Sequence, residues 1–399
     1  MTHLVLSDLK VLEFTHAIMG PSAGLVLADL GADVIKIEPA PHGDSTRTLQ
    51  GFGKGYFTFF NRNKRSLCVN LKTSEGQQIA FDLIKNADVL LENFAPNTME
   101  RLGLGYEQVK DLNPRLIYCS LKGFTTGPYE HRTALDEVVQ MMSGLAYMTG
   151  PVGMPLRAGA SVIDIMSGTF AALGVLAALR DRDKTGKGQL VMNGLFETAA
   201  YLMGQHMAFA ATEHTPIPPF PGKPRSWAIY QPFASQEGEL VFLGVTSDKH
   251  WEAFCRVFER PDLLADDTLK TNNQRYEAFD RLIPIISEML VTLPKADILA
   301  KCEAAGFPFA QVNHPEDLFE DDHLNMGGHL LDTTFPDGTV SKMPRLPLSA
   351  DYDVPLRLQP PHIGEHTQDI LEGLGYGEAK IRELMGAGVV KMIDAAEVL

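Results

Sequence analysis

Between Lys10 and Lys122 the chain sets five apolar runs at regular intervals, with segments of helical composition between them. Lys10–Thr15 (KVLEFT), Ala32–Glu38 (ADVIKIE), Arg65–Leu71 (RSLCVNL), Ala87–Asn93 (ADVLLEN) and Arg115–Lys122 (RLIYCSLK) read as strands. Ser22–Leu30 with Gly31 as its stop, Ser74–Asn86 and a short stretch from Met99 to Leu102 read as helices. Strand–helix–strand order at this spacing predicts a parallel sheet covered by helices on both faces.

The remainder asks for more than one core. A chain of 399 residues exceeds the roughly 250–300 at which single cores stop growing. Leu135–Leu179 reads as helical with a break at Thr149–Leu156, and a second helix pair lies around Leu195–Ala210. Thr215–Arg225 (TPIPPFPGKPR) is too rich in proline to continue a helix and reads as an extended connector. Beyond it, strands at Gly238–Val245 and Phe307–Val312 and helices at Lys249–Phe258 and Arg275–Leu293 suggest a smaller α+β domain. Pro344–Pro361 is again extended, and Glu365–Leu374 and Gly377–Leu384 read as short helices. The expected division is 1–200 with 330–399 as the large domain and 226–320 as the small one. Residues 201–225 and 321–329 are expected to link them.

Charge and cysteines narrow the partners. Thirty-five Lys and Arg against fifty Asp and Glu give 35 − 50 = −15, without a basic cluster for a nucleic acid. Cys68, Cys119, Cys255 and Cys302 form no CxxC pair, which suits a reducing cytoplasm rather than a disulfide or zinc scaffold. The twelve histidines show no metal spacing. MTHLVLSDLKVLEF lacks the pattern of a signal peptide. The most apolar stretch, Gly168–Leu179, is shorter than the about 20 residues a bilayer needs, so it reads as a buried helix and no membrane partner is expected.

The individual motifs leave alternatives open. The first strand–turn–helix–strand ends in Glu38, where a dinucleotide-binding fold places a ribose ligand, but the turn His16–Pro21 lacks G-x-G-x-x-G. That turn is either a plain connection or a ligand seat at a helix N-terminus. Thr185–Gly188 is a turn and not a phosphate loop, and neither GxSxG nor HExxH occurs. Asp164, in AGASVIDIMSG, reads as an N-cap or as a carboxylate nucleophile in hydrocarbon surroundings, and the two roles are compatible. Asp136, Lys72 and Arg101 taken singly read as solvated charges.

Taken together and in order, LKVLEFTHAIMGP, LADLGADVIKIEP, NRNKRSLCVNLKTSEG, LLENFAPNTMERLGLGYE, NPRLIYCSLKGF, SVIDIMSG, RDKTGKGQLV and IGEHTQDILEGLGY resemble the class III CoA-transferases. That family includes formyl-CoA transferase, carnitine CoA-transferase and α-methylacyl-CoA racemase. The resemblance implies a Rossmann-like large domain, a smaller α+β domain and an interlocked homodimer. It implies CoA or acyl-CoA as substrate, with no permanently bound cofactor and no metal. It places the nucleophile on Asp164, a supporting acid on Asp136, and CoA contacts on Ala17, Ile18, Asn70, Leu71, Lys72, Asn93, Phe94, Arg101, Ala134 and Leu135. His16, Arg132 and Arg157 are candidates for the carboxylate of a small acceptor acid, expected to be a dicarboxylic acid such as succinate or glutarate.

Departures from the pattern are informative. Ile18 and Pro39 stand where formyl-CoA transferases carry a Gln and an Arg, which argues against oxalate. Leu135 stands where the racemases carry a His, so α-proton exchange lacks a base. Pro221–Ala228 holds only Gly222 where some members carry a glycine run. A non-catalytic CoA-binding subunit is the third reading, and the intact Asp164 speaks against it.

Overall fold

The computed structural model of the chain describes residues 4–220 and 226–393. Residues 221–225, which include the end of the expected connector and Gly222, lie outside the described residues. The chain forms two compact units, Met1–Pro221 with Met326–Leu399 and Gly222–Asn325.

The larger unit begins with β1 (Lys10–Phe14), β2 (Asp33–Pro39), β3 (Lys64–Val69), β4 (Val89–Glu92), β5 (Ile117–Lys122) and β6 (Leu190–Gly194). The smaller unit adds β7 (Ile229–Ala234), β8 (Leu240–Val245) and β9 (Phe309–Gln311). The returning chain supplies a hairpin of β10 (Leu330–Thr334) and β11 (Val340–Pro344), then β12 (Val390–Lys391). The main sheet runs β12-β3-β2-β1-β4-β5-β6, parallel throughout except for the antiparallel β12 at its edge. The five expected strands are all present. The edges β6 and β12 and the β10–β11 hairpin were not anticipated.

Strands buried on both faces explain the near-continuous apolar runs. Val11, Val34, Val89, Leu91 and Ile117 meet α1 (Met19–Asp29), α3 (Asp136–Ser143), α4 (Val162–Thr185) and α5 (Leu195–Leu202) in one core. Leu12, Phe14, Ile35, Leu67 and Leu90 face the other way, against α2 (Ser74–Ile84), α6 (Thr367–Gly373) and α7 (Glu378–Gly386). In the smaller unit, β7-β8-β9 form an antiparallel sheet whose core includes Trp251, Phe254, Leu282 and Ile298. Pro232 sits on β7, an edge strand, where its missing N–H costs no central ladder bond.

Three local expectations differ from the structure. The helix pair expected around Leu195–Ala210 is present as α5 and a helix over Gly204–Glu213, so it runs into the residues expected to link the domains, and a short helix at Asp322–Met326 enters the expected return link. The apolar helix is longer than its most hydrophobic stretch: α4 has 24 residues and is long and apolar enough to cross a membrane by length and composition. It lies instead along α1, with Ile163, Ala171, Ala172 and Val175 in the core.

Close packing at that helix crossing depends on Gly168. A Cβ there would lie 2.6 Å from the Met19 carbonyl oxygen and 2.6 Å from the Ser22 Cβ. Gly168→Ala is expected to force the helices apart at a cost of about 1–3 kcal/mol. A thermal melt followed by circular dichroism should fall by a few degrees.

Candidate active site

β1 and β4 are neighbours, but the chain leaves β1 toward β2 on one side and β4 toward β5 on the other. Their carboxyl ends therefore open a crevice at the point where the strand order reverses. The two loops there hold each other. The His16 N–H donates to Asn93 Oδ1 at 2.9 Å, and Asn93 Nδ2 donates to the His16 carbonyl oxygen at 2.8 Å. The His16 ring stacks on Phe94 with centroids 5.7 Å apart. Ala17 is left-handed at φ 61°, a strained conformation for a residue with a Cβ. Gly20 permits the tight turn, since a Cβ would stand 2.4 Å from the Thr15 Cβ and 3.0 Å from the Asn93 Cγ.

Asp164 enters this crevice from the first turn of α4. It is not the N-cap. Ser161 holds that position, and neither side chain caps its own helix. The cap comes from a different helix: one carboxylate oxygen of Asp136, at the start of α3, accepts the N–H groups of Ile163 (2.8 Å) and Asp164 (3.0 Å). The other oxygen of Asp136 is bound by Gln140 Nε2, and Gln140 Oε1 accepts the Ala158 N–H at 2.8 Å. Asp136 and Gln140 are both buried. The amides that would otherwise favour an ionised Asp164 are thus occupied by another carboxylate. Desolvation, then the negative charges of Asp136 and Glu137, push Asp164 up to about 7, while Arg157 opposes them.

The structure gathers His16, Ala17, Asn93, Phe94, Arg132, Ala134, Leu135 and Asp164 around one cavity of about 180 Å³. Ile18 is buried against Leu25 and Phe60 rather than lining it. Asn70, Leu71 and Lys72 follow β3: Asn70 Oδ1 accepts the Lys72 N–H at 3.1 Å, and Leu71 packs on the same core as Phe94. Arg101 is exposed and donates to Thr98 Oγ1 at 2.8 Å. Arg157 is ion-paired with Glu137, while Arg132 lies 4.9 Å from the centroid of the Tyr129 ring. None of Ile18, Asn70, Leu71, Lys72, Arg101 and Arg157 lines the cavity. Asp136 stands behind it, as a partner of the backbone that carries Asp164.

Other residues, which the sequence did not single out, complete the site. Lys122, Met19, Gly123 and Leu195 also line the cavity. Lys122 lay in a recognised segment, at the carboxyl end of a parallel strand, and that position was the available clue. Glu38 is not free to bind a ribose. It is buried, held by Arg47 through two bonds of 2.7 Å and by Ser66 Oγ at 2.6 Å. Beside it, burial alone would depress the Lys36 ammonium, but Asp44, Glu13 and Glu38 outweigh that and hold it above the ordinary value.

A cleft at the switch point of a parallel sheet thus holds a largely buried carboxyl group that titrates near neutral pH. Residues 6–367 match the model of CoA-transferase family III, and the chain belongs to that family. It is therefore an enzyme of the class III CoA-transferases, with CoA thioesters as substrates. It is 32% identical to the succinyl-CoA:glutarate CoA-transferase of Mus musculus, over 97% of this chain and 90% of that one. It is 33% identical to the formyl-CoA:oxalate CoA-transferase of Streptomyces coelicolor, over 98% and 100%. The crystal structure of a CAIB/BAIF family protein from Brucella suis superposes with a TM-score of 0.84 at 30% identity, covering 94% of this chain and all of that one.

The raised carboxyl has a consequence for stability. Unfolded, Asp164 ionises near its ordinary 3.8; folded, it keeps its proton to about pH 7. Its contribution therefore favours the fold below pH 4, declines between pH 4 and 7, and is lost above. Asp164→Asn is expected to raise thermal stability by about 1–3 kcal/mol above pH 7, after allowance for partial exposure. The gap in melting temperature should close as pH falls to 4.

Proposed function

We propose that the protein moves CoA from succinyl-CoA to a small dicarboxylic acid through covalent intermediates on Asp164. The observation that carries this reading is the placement of Asp164 at the switch-point cleft with its carboxyl raised to about 7. Such a group is about half ionised at pH 7 and, once ionised, more basic than an ordinary aspartate, which makes it the stronger nucleophile toward a thioester carbonyl.

The steps balance without an external energy source. An Asp164 oxygen attacks the thioester carbonyl, the C–S bond breaks, and a mixed anhydride forms with release of CoA thiolate. The thiolate attacks the Asp164 carbonyl of that anhydride, freeing the donor acid and leaving an aspartyl-CoA thioester. The acceptor carboxylate then attacks the Asp164 carbonyl and expels the thiolate. In the last step the thiolate attacks the acceptor carbonyl and restores Asp164. Bound thiolate and exclusion of water keep the intermediates from hydrolysis.

The roles follow from position. Asp136 is a positioning residue whose oxygen fixes the backbone of Asp164. Ala17, Asn93, Phe94, Ala134 and Leu135 line the reacting end of the CoA site, while Ile18 supports the turn from the core. Asn70, Leu71, Lys72 and Arg101, outside the cavity, are assigned to the more distant parts of CoA. His16 and Arg132 meet the distal carboxylate of the acceptor; Arg157 acts through Glu137 and the charge near Asp164. Leu135, exposed at the cleft, stands where proton exchange would need a base, which favours transfer over racemisation. The name of the mouse relative supports succinyl-CoA and a dicarboxylate. The same reading includes an interlocked homodimer, supported by the exposed Leu173 of α4 and the exposed Tyr201 and Met207 that follow.

Incubation with succinyl-CoA and a panel of carboxylic acids, read by mass spectrometry, should give a new CoA ester. Hydroxylamine should trap Asp164. Asp164→Ala should lose at least about a thousandfold in kcat, as for removal of a covalent nucleophile. With wild type, kcat/KM should fall below pH 7 as Asp164 gains its proton. Undiminished turnover in Asp164→Ala would remove the mechanism.

A further inference from the structure

The two loops that meet at the switch point are each held from below by a lysine on a backbone carbonyl, although Lys36 also pairs with Asp44 at 2.9 Å and Glu13 with Lys64 at 2.7 Å. On β1, Glu13 is buried and ion-paired with Lys36 of β2 at 3.4 Å, and the Lys36 ammonium donates to the Thr15 carbonyl oxygen at 3.0 Å. On β4, Glu92 is buried and ion-paired with Lys122 of β5 at 2.7 Å, and the Lys122 ammonium donates to the Phe94 carbonyl oxygen at 2.8 Å. Each lysine comes from the strand on the outward side of its glutamate. Each holds the carbonyl two residues beyond that glutamate. A hydroxyl completes both sets, Thr15 Oγ1 on Glu13 at 2.8 Å and Ser120 Oγ on Glu92.

We propose that Lys36 and Lys122 are positioning residues for acyl-CoA, a matched pair that locks the two switch-point loops from opposite sides of the crevice. The proposal rests on the reading that this cleft takes CoA. The loops so held are the ones joined by the reciprocal His16–Asn93 bonds. Packing alone does not fix the second of them. Behind residues 93–97 lies another cavity of about 360 Å³, lined by Glu92, Pro96, Tyr118, Lys122 and Phe124. Pro96 and Lys122 border both cavities, so this loop stands between two open spaces. A charged donor on its carbonyl resists a shift into the rear cavity, because the shift would take the Phe94 carbonyl oxygen away from the Lys122 ammonium that Glu92 holds in place. A buried ion pair adds little net stability over an apolar substitute, but it does demand one geometry.

Lys122→Met and the double variant Glu92→Gln/Lys122→Met test the idea. Hydrogen exchange on wild type with free CoA should protect the amides of residues 15–20 and 93–97. Protection elsewhere and not there would overturn the assignment of the cleft itself, independently of the lysines. Given that protection, Lys122→Met should weaken CoA binding by about tenfold or more in calorimetry, or 1.4 kcal/mol. With succinyl-CoA as donor, KM should rise in step while kcat stays within about threefold, the mark of lost uniform binding. The double variant leaves no unpaired buried carboxylate and should fold with the same weakened binding. Wild-type CoA affinity in either folded variant would overturn the proposal. Failure of both to fold would also overturn it, by making the brace an element of folding.

Discussion

One carboxylate oxygen of Asp136 takes the amide hydrogens of Ile163 and Asp164, and the character of the site follows from that cap. A helix N-terminus normally lowers the pKa of an acid placed in its first turn. Here those donors already serve an anion, so Asp164 sees negative charge and hydrocarbon rather than open N–H groups. Gln140 extends the constraint to Ala158, which fixes the segment leading into the helix. The reactive carboxyl is thereby placed and tuned by one buried side chain from a neighbouring helix.

The parallel sheet was legible because its inner strands are buried on both faces and read as unbroken apolar runs. β6 was not, because Leu190–Gly194 lies at an edge, largely outside the buried core, and contains Asn193 and Gly194. β12 has two residues and owes its pairing to β3, four-fifths of the chain earlier. Asp164 was legible as a functional candidate through its setting, yet the expected N-cap role was wrong. Which carboxylate caps α4 is decided by a contact between residues 28 positions apart. Glu38 shows the same limit. Its place at a strand end suggests a ligand, but Arg47 and Ser66 use its oxygens, and no periodicity reports such pairings.

The charged residues within the strands are a related case. Glu13, Lys36, Glu38, Lys64 and Glu92 interrupt otherwise apolar segments, and each is buried. Singly, such groups would be costly to desolvate. They are tolerated because opposite signs meet on the sheet face and at the strand ends: Lys64 of β3 reaches past β2 to Glu13 of β1 at 2.7 Å, and Lys36 of β2 reaches Asp44 in the segment that follows β2 at 2.9 Å. Gly24 provides the room, since a Cβ there would lie 1.7 Å from Glu13 Oε2.

The path of the chain around β3 has a consequence for biosynthesis. This strand is finished by Val69, yet its outer edge pairs with Val390 and Lys391, and Asn63 and Ser66 are met by Leu358 and Gly364. A ribosome would deliver the whole of residues 222–325 before the partners of that edge emerge. In the interval β3 offers unpaired N–H and C=O groups to any passing strand. Chaperone cover of the nascent N-terminal segment should therefore matter for the yield of this protein.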